Sequence, residues 1–395
     1  FALVERCARE RYGLDTVFIS LHETSVPRTR YFENCVAAAR EIATARYVFL
    51  NDASQLASCL PLRPETKIAQ LWHACGAFKK WGMSTAGLAF GGTREELLRH
   101  PYYGNLSLVT VSSPDVAWAY AEAMVLEDAP GIIKPLGVSR TDVFFDDAFL
   151  AGARTRLEHA FPQAEGKKVI LYAPTFRGHV SNVLDVRALM HAIGDEYVLV
   201  VKHHPFVKHP MPIPDDCQDF AFLDDGSLPI DVLLSCADVC ISDYSSLVFE
   251  YSLFGRPMAF FAYDLDEYKD WRNFYYDYDE LTPGPVLATN EELIDYLTHM
   301  DERFDAAQVE AFRAKFMSAC DGHATERICT EMFGDAPARD DGRNGEEARS
   351  NAALRHAGAP SEPHGSSGFS NAKAPDASRM SRASSSNAAT VERRA

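Results

Sequence analysis

Three features are missing from this sequence, and each absence excludes a class of protein. Its 395 residues include 39 Lys and Arg against 56 Asp and Glu, so the formal charge is −17 and no cationic excess exists to bind nucleic-acid phosphates. No apolar run approaches the roughly 20 residues that span a bilayer. The third absence is a composition typical of a disordered or collagen-like chain, since 47% of the residues are hydrophobic.

The cysteine pattern also excludes common sites. The nine cysteines form no C-x-x-C pair, and their number is odd, which argues against a zinc or disulfide framework. Several lie in apolar stretches, as Cys236 and Cys240 do. We therefore expect buried, reduced thiols, as in a cytosolic protein. The chain begins at Phe1 rather than Met and has no signal-peptide pattern, so we expect that N-terminal sequence is missing.

Short apolar runs alternate with helical stretches as far as Gly334. Apolar strands separated by helices indicate parallel sheets covered on both faces, the doubly wound α/β class. The predicted strands are 46–50, 67–72, 106–112, 132–136, 169–173, 197–202, 237–242 and 257–262. The predicted helices include 31–45, 114–124, 186–193, 246–254 and 291–300.

The length suggests two domains, at roughly 100–200 residues per domain. Residues 146–165 are charged and helical without a strong strand, so we place the division there. This gives an N-terminal domain over 1–150, shortened at its start, and a C-terminal domain over 151–334, ending in a long helix at 301–333. The tail, 335–395, has almost no aliphatic residues to offset its ordering entropy, and we predict that it is disordered.

The first of four polar clusters follows the strand predicted at 67–72. That strand delivers His73 into a glycine-bearing loop that also contains Lys79 and Lys80. A neutral imidazole can remove a proton from an alcohol, and nearby ammonium groups can hold anionic oxygens. Nothing local marks Cys75, in the same loop, as a thiolate. A purely structural His73 remains the alternative, which the lysines and glycines disfavour.

Two more clusters stand at the ends of apolar strands in the second half. One offers the Thr175 hydroxyl and the Arg177 guanidinium, which suits phosphate oxygens, although an ordinary surface turn is the alternative. The other is Lys202, His203 and His204 followed by proline. Adjacent histidines point to opposite sides of an extended chain, so they are poor joint ligands for zinc. We expect one of them to donate to a phosphate, and spacing does not decide which.

In the fourth cluster a strand runs through Asp243 into Ser245 and Ser246, where a helix begins. First-turn amides and the helix dipole favour a diphosphate there, with the hydroxyls assisting. Glu250 lies about one turn further along, where a carboxylate could accept from ribose hydroxyls. The alternative, that Asp243 or Ser245 caps the helix, is compatible with ligand binding. All four clusters follow strands, where doubly wound sheets place their ligands.

The aromatic stretch 263–285 predicts a long irregular loop. Loops of that length tend to be functional. Its acidity argues against nucleic acid, and a packed aromatic linker is the alternative.

Taken in order, these clusters resemble the CDP-glycerol glycerophosphotransferase family, the teichoic acid polymerases and primases. The resemblance extends from residue 24 to 333 and implies a GT-B architecture, with two Rossmann-like domains facing a central cleft. It rests on WHACGAFKKWG, GVSRTD at 137–142, LYAPTFRG, KHHP, ISDYSSLVFEYSLFGRP and YDLDEY…R…PGP.

The resemblance implies transfer of a polyol phosphate, with glycerol phosphate as the first choice, from CDP-glycerol or CDP-ribitol, releasing CMP. The acceptor would be a hydroxyl of a lipid-linked teichoic-acid-type polyol phosphate, which places the protein peripherally on the cytoplasmic face of the cell membrane. No cofactor, metal or nucleic acid is expected. The alternatives are another GT-B enzyme acting on a nucleotide sugar, either a glycosyltransferase or an epimerase, and a non-catalytic nucleotide-binding protein.

The family's roles carry over by motif to particular residues. His73 is implied as the base on the acceptor hydroxyl, and His204, which directly precedes proline, as an assistant at the donor diphosphate. Attack of an alcohol on a diphosphate needs a base, dispersed charge stabilisation and alignment, which these residues would provide across a closed cleft. The implied substrate-binding residues are Lys79, Arg140, Asp142, Thr175, Arg177, Lys202, Asp243, Ser245, Ser246 and Glu250.

Overall fold

A computed structural model describes residues 1–21, 27–88, 91–175, 183–204, 207, 210–335 and 387–393; for 269–272 and 387–393 it describes the backbone alone. In this part of the chain the helices are α1 (Ala2–Tyr12), α2 (Arg28–Thr44), α3 (Gln55–Cys59), α4 (Arg94–Arg99), α5 (Ala117–Met124), α6 (Asp147–Ala160), α7 (Val186–Ile193), α8 (Ile230–Cys236), α9 (Leu247–Tyr251), α10 (Leu265–Arg272), α11 (Asn290–Thr298), α12 (Met300–Arg303), α13 (Ala306–Phe316) and α14 (Ala324–Phe333).

The strands of the described chain form two sheets, one in each half. These strands are β1 (Asp15–Leu21), β2 (Tyr47–Leu50), β3 (Lys67–Gln70), β4 (Leu108–Thr110), β5 (Ile133–Lys134), β6 (Lys168–Tyr172), β7 (Tyr197–Val201), β8 (Ala221–Leu223), β9 (Val239–Ser242), β10 (Met258–Phe261), β11 (Val286–Leu287) and β12 (Asn387–Arg393). The first sheet has the order β1-β12-β2-β3-β4-β5 and the second β11-β10-β9-β6-β7-β8. In the first sheet, β2 to β5 run parallel, as do all the pairs of the second sheet.

The predicted apolar strands are confirmed, and their burial shows why they were recognisable. Every residue of β2, β7 and β9 is buried, as expected for parallel strands covered on both faces. Strands β8 and β11 were not predicted because three and two residues carry too little pattern. Strand β1 was also missed, and its side chains are mostly half-buried or exposed.

Three segments differ from the sequence-based expectation. The helix predicted at 301–333 is divided into α12, α13 and α14, and the Asp305 carboxylate caps α13 by accepting from Ala307 N at 3.0 Å. The predicted irregular loop at 263–285 contains α10 and a 3₁₀ turn at Tyr278–Leu281. Within the tail predicted to be disordered, β12 pairs antiparallel with both β1 and β2, whose backbone edges supply its hydrogen-bonding partners.

The last helix of the C-terminal half, α14, packs against the N-terminal half. Helix α14 packs Ile328 and Met332 into a cluster with Val4, Tyr47 and Phe49 of the first sheet region. A larger apolar cluster continues across both halves and joins β4 to β6, β7 and β9. The predicted division at 150/151 falls inside α6. The domain limits themselves stay a prediction.

The nine cysteines are all free thiols, as expected. Seven of them are buried, whereas Cys35 is partly exposed and Cys59 is exposed. Burial raises the pKa of Cys75 well above its ordinary value, which favours the protonated thiol over the thiolate.

Candidate active site

The first group of polar side chains lies where β2 and β3 end. Leu50 and Gln70 are paired in the parallel register of these two strands, so the residues that follow them emerge side by side. Asn51 and Asp52 follow β2, and His73 follows β3. Because carboxyl ends of parallel strands meet at one edge of the sheet, this is where a doubly wound fold positions a ligand.

The imidazole of His73 is held by a ring stack and a hydrogen bond. Its ring centroid lies 4.4 Å from that of Trp72, which in turn stacks on Trp81 at 4.3 Å. Trp72 has φ +59°, a left-handed conformation that a tryptophan adopts only where its surroundings impose it. His73 Nδ1 lies 3.2 Å from Asn51 O. Since a carbonyl can only accept, the proton belongs on Nδ1, and Nε2 is left to take another.

The electrostatics of His73 favour the neutral ring that a base requires. Desolvation lowers the pKa of His73, and the Arg140 guanidinium lowers it further, against the opposing hydrogen bond to Asn51. The imidazole is therefore unprotonated at neutral pH and able to accept a proton from an alcohol.

Arg140 connects the His73 loop to the second half of the molecule. Its Nη1 donates to His73 O at 2.7 Å, and its Nη2 pairs with the Glu250 carboxylate. The Glu250 side chain, on α9, is only 4% exposed, so it depends on this guanidinium for its charge balance. The ribose contact predicted for Glu250 stays a prediction; in the structure its carboxylate binds Arg140.

In the second half, Asp243 organises the ends of two neighbouring strands, β6 and β9. Its two carboxylate oxygens each lie 3.0 Å from Thr175 N, and Oδ1 also accepts from Tyr244 N at 2.5 Å. The Asp243 side chain is buried. It therefore fixes the turn carrying Thr175 against the turn carrying Ser245. Arg177 lies outside the described residues.

The predicted helix after the two serines is confirmed, but it is short. Helix α9 has five residues and continues as a 3₁₀ turn at Ser252–Phe254. Ser246 is the N-cap residue and makes no side-chain capping bond, while Ser245 Oγ accepts from Leu247 N at 3.4 Å. The capping alternative thus applies weakly to Ser245, and the Ser246 hydroxyl is not used for capping.

The two adjacent histidines have different surroundings. His203 Nε2 accepts from Met211 N at 3.2 Å, which commits that ring to its own loop. Burial lowers the pKa of His204, and the ammonium of Lys79 lowers it further. Lys79 belongs to the first half and forms a β-bridge with Phe274 of the second. Of the two histidines, His204 is thus the one whose pKa the Lys79 ammonium of the first half lowers, a difference that spacing alone did not decide.

This proximity gives a prediction for Lys79→Met. Removing the ammonium removes its repulsion of a protonated imidazole, so we expect the pKa of His204 to rise toward the ordinary histidine value. An NMR titration of the histidine ring signals measures it. Lys134→Met, which removes a lysine paired with Glu331, is the control and should leave His204 unchanged. An unaltered or lower His204 pKa in Lys79→Met would contradict this placement.

The structure does not bring Asp142 and Lys202 into this group. The Asp142 carboxylate accepts from Ala324 N at 3.1 Å and Thr325 N at 2.7 Å, at the start of α14. Lys202 Nζ pairs with the buried carboxylate of Asp224. Both side chains hold the fold together, and their substrate contacts stay predictions.

Sequence reasoning missed two residues beside His73. Asp52 Oδ1 lies 3.8 Å from His73 Nδ1, and the fully buried Gln70 connects the loops after β2 and β3. The rule that led to His73, a polar residue in the loop that follows an apolar strand, applies equally to Asp52, which comes two residues after β2. Among the described residues, no group of three or more His, Cys, Asp or Glu side chains could hold a metal ion.

Two α/β halves with largely parallel sheets, joined through the Arg140–Glu250 pair and the Lys79–Phe274 bridge, are the arrangement of a GT-B-like protein. The chain belongs to the CDP-glycerol:poly(glycerophosphate) glycerophosphotransferase family, whose model matches residues 1–334. This confirms the family resemblance read from the motifs.

Curated relatives and solved structures agree with this assignment. The chain is 37% identical over 317 residues to a teichoic acid poly(ribitol-phosphate) polymerase of Bacillus spizizenii, covering 78% of this chain but only 50% of that polymerase. It is 33% identical to a teichoic acid ribitol-phosphate primase of the same organism, over 79% of this chain and 81% of the primase. A structure of the wall teichoic acid polymerase TagF matches with a TM-score of 0.65 at 23% identity, over 79% of this chain and 77% of that one. The last likeness confirms the GT-B-like fold.

Proposed function

We propose that this protein transfers a polyol phosphate from a CDP-polyol to a hydroxyl of a lipid-linked polyol phosphate, releasing CMP. The observation that carries the proposal is Arg140, which hydrogen-bonds the loop of the candidate base and pairs with Glu250 beside the candidate donor turn. Acceptor activation and donor binding would thus share one junction. The family assignment supports the reaction class.

In the proposed reaction, His73 Nε2 accepts the proton of the acceptor hydroxyl. The hydroxyl oxygen attacks the phosphorus that carries the polyol, a new P–O bond forms, and the bond from that phosphorus to the bridging oxygen breaks. The electron pair leaves with CMP, so a phosphodiester and a nucleoside monophosphate are the products. Catalysis then depends on alignment and on groups that stabilise the phosphate charge, with no covalent enzyme intermediate.

The phosphate-binding groups would come from both halves. We assign the donor diphosphate to the hydroxyls of Thr175, Ser245 and Ser246 and to the guanidinium of Arg177, as the family motifs imply. His204, neutral because its pKa is lowered, can donate one ring N–H to a phosphate oxygen. Lys79, which lies close enough to lower that pKa, adds positive charge from the first half.

The cargo we propose is ribitol phosphate, in place of the glycerol phosphate first expected from the motifs. Four relatives named for ribitol phosphate are 33–37% identical to the chain. Four relatives named for glycerol phosphate are 28–32% identical. A lipid-linked acceptor would bring the protein to the cytoplasmic face of the membrane as a peripheral protein. None of the described helices is both long and apolar enough to cross a bilayer.

The experiment is a donor panel with purified protein and a lipid-linked polyol phosphate acceptor. We expect acceptor-dependent CMP release from CDP-ribitol, slower release from CDP-glycerol and no nucleotide release from UDP-sugars. Faster turnover of CDP-glycerol would overturn the cargo assignment alone. Release of UDP from a UDP-sugar, or no CMP from either CDP-polyol, would overturn the proposed function.

A prediction for Arg177→Ala tests the donor side. Loss of a bidentate arginine–phosphate contact should raise the KM for the CDP-polyol about tenfold or more. The control is Arg187→Ala on α7, which removes an exposed pair with Asp216 and should leave the KM unchanged. Equal KM values for Arg177→Ala and the unmodified protein would remove Arg177 from the donor site.

A further inference from the structure

The loops that follow β2 and β3 are joined by a buried amide. Gln70, the last residue of β3, is fully buried. Its Nε2 donates to Asp52 O at 3.0 Å, and its Oε1 accepts from Trp72 N at 3.0 Å. A side chain that donates to one loop and accepts from the other fixes their separation, because both of its polar ends are used in a site without water access.

This clamp places a carboxylate beside the imidazole of His73. Asp52 Oδ1 lies 3.8 Å from His73 Nδ1 and accepts from Ala53 N at 2.8 Å. The Asp52 side chain is only 12% exposed, whereas the His73 ring is half-exposed. The Asp52 carboxylate therefore lies on the Nδ1 side of a ring that is half open to solvent.

We propose that Asp52 is a positioning residue that stabilises the imidazolium of His73 during the transfer, and that Gln70 sets its distance. The inference rests on the proposed function, in which His73 Nε2 accepts the proton of the acceptor hydroxyl. When Nε2 takes the proton, the ring becomes positively charged. The negative Asp52 carboxylate, 3.8 Å from Nδ1, stabilises that charged ring. In the resting state Asn51 O accepts a hydrogen bond from His73 Nδ1 and so keeps the proton on that nitrogen. Asp52 provides the negative charge that stabilises the ring once Nε2 is also protonated.

The surroundings make this carboxylate sensitive to pH. Burial raises the pKa of Asp52 to about 6, so it is charged at neutral pH and becomes protonated below that value. The other titratable or charged groups near the pair are Arg140, which donates to His73 O, Tyr103 beside Asp52, and Glu250, Cys75 and the Phe1 amine near Arg140. Arg140 is always protonated, and burial raises the pKa values of Tyr103 and Cys75, so these three groups do not change charge between pH 5 and 8. The Phe1 amine, whose pKa is lowered by burial, is common to all the variants compared.

Because the pKa of Asp52 is raised, a stability measurement can distinguish a catalytic role of this residue from a structural role. A carboxyl group whose pKa is higher in the folded than in the unfolded state lowers stability as the pH rises through the window between the two values, from about 4 to about 6. At pH 7.5 the ionised Asp52 carboxylate therefore destabilises the folded protein. Asp52→Asn should keep or raise Tm, whereas loss of a structural residue would lower it.

The kinetic test compares Asp52→Asn and Asp52→Glu with Asp128→Asn, an exposed carboxylate in the loop after α5. We expect Asp52→Asn to lower kcat about 10- to 100-fold at pH 7.5 with the KM for the CDP-polyol unchanged. Asp52→Glu restores the charge and should recover part of the loss. Asp128→Asn should behave like the unmodified protein. An unchanged kcat in Asp52→Asn, or a raised donor KM with kcat intact, overturns the proposal.

A second readout does not depend on the reaction. NMR titration of the His73 ring, assigned by its loss in His73→Gln, should give a lower pKa in Asp52→Asn because the opposite charge that favours the imidazolium is gone. The acid limb of the kcat/KM profile should move to lower pH in the same variant. An unchanged His73 pKa overturns the pairing of Asp52 with His73. If the pKa falls but no CDP-polyol reacts even with the unmodified protein, the proposed function fails and the pairing stands.

Discussion

Replacing His73 with alanine is expected to lower kcat at least about 100-fold, the range for loss of a general base. The donor should still bind with an unchanged Kd, because the proposed diphosphate groups lie in the other half of the protein. Trp72 remains stacked on Trp81 without the imidazole, so the loop should keep its fold. CMP release gives kcat, and calorimetric titration with a CDP-polyol gives Kd.

The control for this variant is His159→Ala, an exposed histidine near the end of α6. It should match the unmodified protein in both kcat and Kd. Normal turnover by His73→Ala would show that another group removes the acceptor proton. A donor Kd weakened in parallel with kcat would mean that His73 contacts the donor.

The second large effect is expected for Arg140→Met. Removing one partner of a buried ion pair costs roughly 3–5 kcal/mol, but the Arg140 side chain is 40% exposed, so we expect the free energy of unfolding to fall by about 2 kcal/mol. The hydrogen bond from Arg140 to His73 O is lost as well. We therefore expect kcat to fall even under conditions in which the variant is fully folded. Urea unfolding and CMP release measure the two effects.

A double variant separates the charge from the contact. Arg140→Met with Glu250→Gln leaves no buried unpaired carboxylate, so it should regain much of the lost unfolding free energy without regaining kcat. Equal instability of the single and double variants would contradict the ion-pair account. A large rise in donor Kd for Glu250→Gln alone would instead support the ribose contact implied by the family motifs.

Most of the architecture could be predicted because its strands are unusually apolar. Continuous runs such as the one that forms β7 can only belong to sheets covered on both faces, and the position of His73 follows from the end of such a run. The resemblance of the motifs then gave the family. The contacts between residues that are far apart in the chain could not be predicted. Asp142 meets Ala324 at the start of α14, a contact across 182 residues that no local pattern announces.

The local sequence pattern also cannot decide between two adjacent residues that have the same side chain. His203 and His204 have the same chemistry, and only the position of Met211 and Lys79 in space assigns one to its loop and the other to the junction. Asp52 is a different case. It follows an apolar strand as His73 does, but its importance depends on the register of β2 and β3, which the sequence does not state.

The most direct test of the account is a crystal structure of His73→Ala with bound CDP-ribitol. We expect the diphosphate within hydrogen-bonding distance of Ser245, Ser246 and His204, with the polyol-bearing phosphorus facing position 73 across the junction. Cytidine diphosphate bound on the β2–β3 side, or a phosphorus turned away from position 73, would contradict it.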